Sequence, residues 1–326
     1  MSHVRFISGT THIAPLNKDA WLEKKQLNWK NLALHRQYAQ QYFGEQFQDL
    51  SFFTVQNNTI LAYILVYKID QKLCLAGNEG LKIFYDAPLH KKILKKIIAH
   101  LHDLANIHQC HHIIINDPIR SGEPSPLGQV LLNENFQTKL NFDMQIPCEN
   151  FEVKHYHTQI RKSYKSLINW GKRNLTLFVV DQNNLDHTAW QSFQAFHYKI
   201  AQRVTRSSAS WQTQFDMIAQ GQGYLILGYL EAELVSSALF LQQYQYNSYA
   251  VGVYERSLFQ HGISHYLLYE GIIQNQNRLN LPLRLGHFNT HETNEKNHNI
   301  QKFKKGFCST LHPMILWSKK LNLEPA

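Results

Sequence analysis

Three stretches of this chain carry side chains that could handle negative charge. "IQKFKKGFCST", residues 300–310, sets Lys302, Lys304 and Lys305 against Phe303 and Phe307. A lysine held in a pocket beside phenylalanines is a strong partner for an oxyanion or phosphate, because low-dielectric surroundings raise its Coulombic value. The same cluster on a free surface contributes little. "QIRKSYKSLINWGKRN", residues 159–174, reads as one amphipathic helix. Ile160, Tyr164, Leu167, Ile168 and Gly171 fall on one side, and Arg161, Lys162, Lys165, Lys172 and Arg173 on the other, with no acid between them. Such a helix packs its apolar stripe on a domain and offers a positive ridge to phosphates, although a solvated amphipathic helix gives the same pattern. In "FHYKIAQRVTRSSASW", residues 196–211, Arg203 and Arg206 lie where helix gives way to a polar segment, with Tyr198 and Trp211 alongside. Arginine grips phosphate or carboxylate in a bidentate fork, and the aromatics could pack on a sugar or base. Loop arginines in surface ion pairs are the plain alternative.

Other chemistries find less support. "IHQCHH" gathers His108, Cys110, His111 and His112, but not at metal-ligand spacing, and alternate residues of a strand point to opposite faces. No metal site is expected. There is no G-x-S-x-G elbow, no Walker-type loop and no G-x-G-x-x-G.

The elements that must position these residues recur in order. "LSFFTVQNNTILAYILVYKI" reads as a hairpin turning at Asn57-Asn58, and "YLILGYLEAELVSSALFLQQYQYNSYAVGVY" as three strands broken near Glu231–Glu233 and Asn247. A helix follows each. The first, "PLHKKILKKIIAHLHDLANIH", carries Leu89, Ile93, Ile97, Leu101 and Leu104 on one stripe, with Pro88 in its first turn. The second is "GISHYLLYEGIIQNQNRLN". Strands "HHIIIND" and "LPLRLGHF" come next. Hairpin start to helix start spans 37 residues (51 to 88) and then 38 (224 to 262), which predicts a duplicated α/β unit with a mixed sheet. The boundary is expected near residue 150, where "MQIPCENFEVKHYH" has Pro147 and no periodicity, giving domains of 1–150 and 151–326.

With 326 residues, 44% of them hydrophobic and 12% aromatic, the chain has ample material for packed cores and falls outside the disordered class. A formal charge of +9 favours polyanionic partners: nucleic acid, nucleotide phosphates or anionic lipid. Four scattered cysteines fit a reducing cytoplasm. Neither a signal peptide nor an apolar run long enough to span a bilayer is present, so a cytoplasmic location is expected, with peripheral membrane attachment open.

In this arrangement the chain resembles the FemAB-like branch of the GNAT superfamily, which includes the Fem aminoacyl-tRNA-dependent transferases. The likeness spans nearly the whole chain and is densest from 159 to 310. It rests on "IRKSYKSLINWGKRN" entering the second domain, the hairpin "YLILGYLEAELVSSALFL", the helix "GISHYLLYEGII" before "LRLGHF", and the closing "FKKGF". The resemblance implies tandem GNAT-like domains, each a mixed, mostly antiparallel sheet flanked by helices, with the acceptor bound between or beside them. It also implies transfer of an aminoacyl or acyl group to an amine. By that likeness the lysine of the family's Phe-Lys pair falls at Lys304, beside Phe303, as stabiliser of the oxyanion. Lys302 and Lys305 would assist a polyanionic donor, and the acceptor-holding segment falls roughly at Arg203 to Trp211.

Two departures shape the expected substrates. GNAT enzymes cradle the coenzyme A pyrophosphate on backbone N–H groups at a Gln/Arg-x-x-Gly-x-Gly/Ala turn. Here that stretch is "FQHGIS", with Phe259 in the first place and Gly262 retained, while "YDAPLH" in the first half has no glycine. Aminoacyl-tRNA is therefore favoured as donor, with acyl-CoA as the alternative and no other cofactor. The long helical arm of peptidoglycan-bridge enzymes has no room between 185 and 219, so the expected acceptor is an amine of another cell-envelope precursor or small molecule. A module that binds RNA or anionic precursors without chemistry is the reading from outside the enzymes.

Overall fold

The computed structural model describes residues 4–9, 17–25, 27, 29–76, 79–85, 87–119, 123, 125–279, 281–308 and 310–322. Of the stretches read above, parts of the N-terminal segment (1–3, 10–16), Asp86 of "YDAPLH", Asn280 of "GISHYLLYEGIIQNQNRLN" and Ser309 of "GFCST" lie outside these. The chain forms two compact units, one of Met1–Trp29, Ala39–Asn141 and His312–Ala326, the other of Lys30–Tyr38 and Phe142–Leu311. This division differs from contiguous halves meeting near 150. Pro147 marks only a local turn, whereas strand pairing takes the chain's last strand into the first unit.

The first unit contains β1 (Val4–Ser8), α1 (Lys18–Lys24), part of α2 (Trp29–Phe43), β2 (Phe47–Asp49), β3 (Phe52–Gln56), β4 (Thr59–Leu65), β5 (Tyr67–Ile69), β6 (Lys72–Cys74), β7 (Lys82–Tyr85), α3 (Lys91–Ile107), β8 (His112–Pro118), α4 (Pro126–Asn133) and the start of β9 (Gln137–Ile146). The expected hairpin is β3–β4: Asn57 and Asn58 take φ of 50° and 57°, the left-handed pair that a two-residue turn of right-handed twist requires. Helix α3 begins three residues later than expected, capped by His90, whose ring accepts from the Lys92 N–H. Pro88 therefore precedes the helix. Its buried stripe is Leu94, Ile97, Ile98, Leu101 and Ala105, packed with Leu127, Leu131, Ile113, Ile115 and Trp317. Just before β7, Leu81 forms an isolated parallel bridge with Ile115 of β8.

The second unit continues with α5 (Val153–Gln159), α6 (Tyr164–Asn174), β10 (Leu175–Val180), α7 (His187–Ala201), α8 (Ser208–Ala219), β11 (Gly223–Leu230), β12 (Glu233–Gln242), β13 (Asn247–Tyr254), α9 (Ile263–Arg278), β14 (Leu283–Phe288) and α10 (Glu295–Lys305); β15 (Leu311–Lys320) then pairs with β8 of the first unit. Its strands run in the order β10-β11-β12-β13-β14-β9, antiparallel except for the β13–β14 pair. Both units thus repeat hairpin, strand, helix and parallel strand, the duplicated mixed α/β architecture read from the sequence.

Strand alternation splits the second unit's core in two. Leu225, Leu227, Leu239, Leu241, Val251 and Val253 face α7 and α8, packing on Trp190, Phe193, Phe196 and Phe215. Tyr224, Ile226, Ala238, Phe240 and Tyr249 face the other way, toward Tyr164, Ile168, Leu267, Leu268, Ile272 and Phe307 of α6, α9 and the end of α10. Helix α9 lies so close to the sheet that a Cβ on Gly271 would sit 2.1 Å from the Phe240 ring, which is fully buried. Gly271→Ala should therefore lower the unfolding free energy by about 1–3 kcal/mol, read as a lower denaturant midpoint at unchanged m-value.

Candidate active site

The parallel strands β13 and β14 are in register only at Asn247 with Leu283 and Ser248 with Arg284. Beyond that point both strands are irregular. In β13 the register with β12 shifts so that Leu239 opposes Val251 and Phe240 opposes Tyr249, leaving Ala250 as an extra residue. In β14 the register with β9 shifts between Arg284 and Gly286, and Gly286 takes φ of 112°, a left-handed conformation that favours glycine. A bulge bends its strand and leaves a residue out of the ladder. Two bulges on facing strands hold β13 and β14 apart as a wedge.

Lys304 projects into this wedge. Its Nζ stands 5.1 Å from the centre of the Tyr249 ring on β13, and 3.6 Å from where a Cβ on Gly286 of β14 would lie. Burial lowers its pKa to about 8, with Cys308 opposing slightly, and it makes no ion pair among the described residues. The Cys308 thiol is itself pushed up to about 12, chiefly by burial and by nearby Asp143, so it is neutral at physiological pH. Below Lys304, the Tyr249 and Tyr254 hydroxyls lie 2.6 Å apart, and burial raises both pKa values.

The α5–α6 segment fixes the helix that carries this lysine. Arg161 Nη2 donates to the Lys302 carbonyl (3.3 Å), the Tyr164 hydroxyl donates to the Phe303 carbonyl (3.2 Å), and the Tyr156 hydroxyl donates to the Phe307 carbonyl (3.0 Å). The Arg161 N–H donates to Gly306 O at 2.9 Å. These donors satisfy carbonyls that a helix C-terminus leaves without partners. Tyr164 comes so near that a Cβ on Gly306 would overlap its ring at 2.2 Å. Phe303, Phe307, Tyr164 and His265 close an aromatic box, where burial, reinforced by Arg161, lowers the His265 pKa to about 4.

The remaining expected residues divide by environment. Helix α6 starts at Tyr164, so Arg161 and Lys162 sit in the turn before it; Arg161 is occupied with α10 and is not part of a free ridge. Lys162, Lys172 and Arg173 are exposed and Lys165 is half-buried. Lys302 is exposed, as is Lys305, whose ammonium lies over the Phe288 ring at 4.6 Å. Gly262 begins α9 with φ of 72°, and Leu167 of α6 fills the space where its Cβ would stand, at 2.7 Å. Both the left-handed backbone and the close approach of α6 call for glycine there. Arg206 lies over the Trp211 ring at 4.8 Å and donates to the Tyr38 hydroxyl, while Trp211 packs on Trp190, Phe193 and His197. Arg203 and Tyr198 are exposed. Since Trp211 and Phe303 join cores on opposite faces of the sheet, no contact joins the Arg203–Trp211 group to Lys304 among the described residues.

One group escaped the sequence reading. Arg284, nearly fully buried, donates from Nε to Asp143 (2.5 Å), from Nη1 to the Tyr246 hydroxyl (2.7 Å) and from Nη2 to His287 Nε2 (2.8 Å). Asp143 also accepts from Gln145. The available signal was an Arg and a His interrupting the apolar strand "LRLGHF". A cavity of about 370 Å³, lined by Asp181, Gln182, Gly221, Gln274 and Arg278, lies where β11 begins and α9 ends, and contains none of these residues. The chemistry available at the wedge is electrostatic: a sheltered cation between two strand edges, facing whatever carbonyl enters. In a titration followed by NMR of lysine side chains, Lys304 should show a midpoint near pH 8, below the ordinary lysine value of about 10.4.

No family model and no curated protein matches the sequence. Solved structures match its fold. A crystal structure of FemX is 12% identical, with a TM-score of 0.67 over 96% of this chain and 97% of that one. A tandem GNAT protein from the clavulanic acid biosynthesis pathway is 10% identical, with a TM-score of 0.60 over 99% and 100%. L-PGS from Bacillus licheniformis is 11% identical, with a TM-score of 0.58 over 96% and 95%. The chain shares the fold of these structures, a tandem of two GNAT-like units.

Proposed function

We propose that the protein transfers an acyl group, most readily an aminoacyl group from aminoacyl-tRNA, to an acceptor amine of a cell-envelope precursor or another small molecule. The observation that carries this reading is the seat of Lys304, an ammonium held in the gap between β13 and β14 and without a carboxylate partner among the described residues. The acceptor nitrogen attacks the ester carbonyl, and the carbonyl π electrons move onto oxygen. The Lys304 ammonium stabilises that oxyanion. Collapse re-forms the carbonyl and breaks the C–O bond to the donor, whose oxygen leaves with a proton, while the new amide nitrogen releases its own to solvent or to a substrate group.

In this scheme Phe303 and its aromatic neighbours keep water from the lysine. Lys302 and Lys305, with Lys162, Lys165 and Lys172 on the α6 side, supply positive charge for a polyanionic donor. Tyr198, Arg203, Arg206 and Trp211, expected on the acceptor side, lie with the core on the other face of the sheet and have no part in this scheme; Arg206 and Trp211 hold the α7–α8 connection. Leu167 against Gly262 supports the tRNA donor over acyl-CoA, because the helix start that would cradle a pyrophosphate is packed under α6 on that side.

The test is transfer of labelled amino acid from charged tRNA to a panel of amines, amino sugars included, beside release of free thiol from acetyl-CoA. Lys304→Ala should reduce turnover by about 10²–10³-fold at unchanged fold, the usual loss for an oxyanion donor. Since the ammonium is the working form, turnover should hold below pH 8 and fall as pH rises through it. Wild-type turnover in the Ala variant, or a rate that instead rises through pH 8, removes the lysine from this role.

A further inference from the structure

Strand β10 ends the second unit's sheet: it pairs with β11 on one side and with no strand on the other among the described residues. The ladder fixes which of its backbone groups face the open side. Just before β11, the Gln222 carbonyl accepts from the N–H of Gln242, the last residue of β12. Even-numbered residues of β11 therefore serve β12, and odd-numbered ones serve β10. Tyr229, Leu227 and Leu225 oppose Thr176, Phe178 and Val180, so these three are the bonded residues of β10. Leu175, Leu177 and Val179 turn their N–H and C=O groups outward.

The chain itself closes this outward row at both ends. At one end the Leu175 N–H donates to the Gly171 carbonyl of α6. At the other, the Val179 carbonyl accepts from Asn184 Nδ2 (2.8 Å), and Asp181 exchanges backbone bonds with Asn184. Between the caps four groups have no partner among the described residues: the Leu175 C=O, the Leu177 N–H and C=O, and the Val179 N–H. They alternate acceptor, donor, acceptor, donor, so their partial charges are complementary to those of the same row reversed.

Sheet edges are ordinarily blunted by a lysine, a proline or a bulge. Strand β10, with the sequence LTLFVV, has none of these and pairs with β11 without a register break. Thr176 is exposed, and Leu177, Phe178 and Val179 are half-buried. An antiparallel copy of the strand, related by a two-fold axis at Leu177, meets every one of the four groups. The two Leu177 residues exchange both bonds, and each Leu175 C=O takes the other copy's Val179 N–H. No group is left over and no cap has to open. Thr176 then stands opposite the other copy's Phe178, a β-branched–aromatic pair that favours strand association. A peptide of other origin would need a length and register fitted between the caps, which the chain's own strand already has. We propose that β10 is a self-association edge, through which two copies of the chain join their second units into one continuous sheet. The proposal is independent of the transfer chemistry at Lys304.

Sedimentation equilibrium of the full chain across the micromolar range is expected to show monomer and dimer in exchange. In amide hydrogen exchange followed by NMR, Leu177 and Val179 should slow as protein concentration rises. Thr176, Phe178 and Val180 should be slow throughout, because β11 already holds them. Thr176→Lys, which sets a charge on the edge, should weaken dimerisation by about tenfold or more. Leu132→Lys, which adds the same charge at an exposed position of α4, should leave it unchanged, and circular dichroism would confirm that both variants are folded. A chain that stays monomeric while Leu177 and Val179 exchange freely overturns the proposal. So does a dimer that Thr176→Lys leaves intact, with Leu177 exchange indifferent to concentration. Capture of an extended peptide along β10 by a chain that remains monomeric overturns it as well.

Discussion

The arrangement of the second unit depends on how the C-terminus of α10 is held. A helix of eleven residues with a lysine-rich last turn has little stability of its own, and its final carbonyls need donors. Arg161, Tyr164 and Tyr156 provide them from a segment about 140 residues earlier, so the helix is oriented by groups far away in sequence. The missing side chain at Gly306 lets the Tyr164 ring close on the backbone. Lys304 lies within this clamped turn. Its ammonium is therefore placed by hydrogen bonds to its neighbours' backbone, which demand nothing of its own charge. That separation leaves the cation available for chemistry, where a lysine held by an ion pair would already be neutralised.

The wedge that receives this ammonium has a comparable logic. A parallel pair of strands would ordinarily zip along its length, and a side chain could not enter between them. Bulges at Ala250 and around Leu285 stop the zipping after two residue pairs, and Gly286 presents bare backbone at the place where Lys304 arrives. The buried Arg284–Asp143 pair, tied to Tyr246 and His287, braces β14 against β9 at the same level. A strand that has given up ladder bonds on one side is thus stiffened on the other. Charge burial of this kind is tolerable because the guanidinium is fully engaged and the carboxylate accepts further hydrogen bonds.

Much of the fold was legible because its signals are local. The Asn57-Asn58 turn, the break at Glu231, the stripe of α3 and the near-equal spacing of the two halves each depend on residues within a few positions of one another. Lys304 was reached through a resemblance, since nothing within "KFKKGF" distinguishes it from Lys302 or Lys305; only the distant Tyr249 and Gly286 do so. The basic ridge of 159–174 was read as continuous, but the backbone leaves the helix before Arg161, and the partner that claims that arginine lies across the chain. Sequence alone leaves Arg206 between gripping an anion and forming a surface ion pair; instead it stacks on Trp211, which packs against the α7–α8 core. Asp143 and Arg284 could not be paired from sequence, because strand order, not spacing, brings β9 beside β14.

The basic residues of this chain therefore answer to three different physical regimes, and net charge alone hides the distinction. Arg161, Arg206 and Arg284 act as multi-donor hydrogen-bonding groups whose charge is secondary to their geometry, which suits the planar guanidinium. Lys162, Lys172 and Lys302 remain in water, where screening confines their influence to roughly a Debye length, about 8 Å at physiological salt, and where they matter collectively or not at all. Lys304 belongs to neither class. Its ammonium has lost much of its hydration without gaining a counter-ion, so the energy withheld on folding can be recovered only when negative charge forms beside it. In the proposed transfer, such a cation is poorly matched to the neutral ground state and well matched to the oxyanion, and that asymmetry is what lets a binding group lower a barrier.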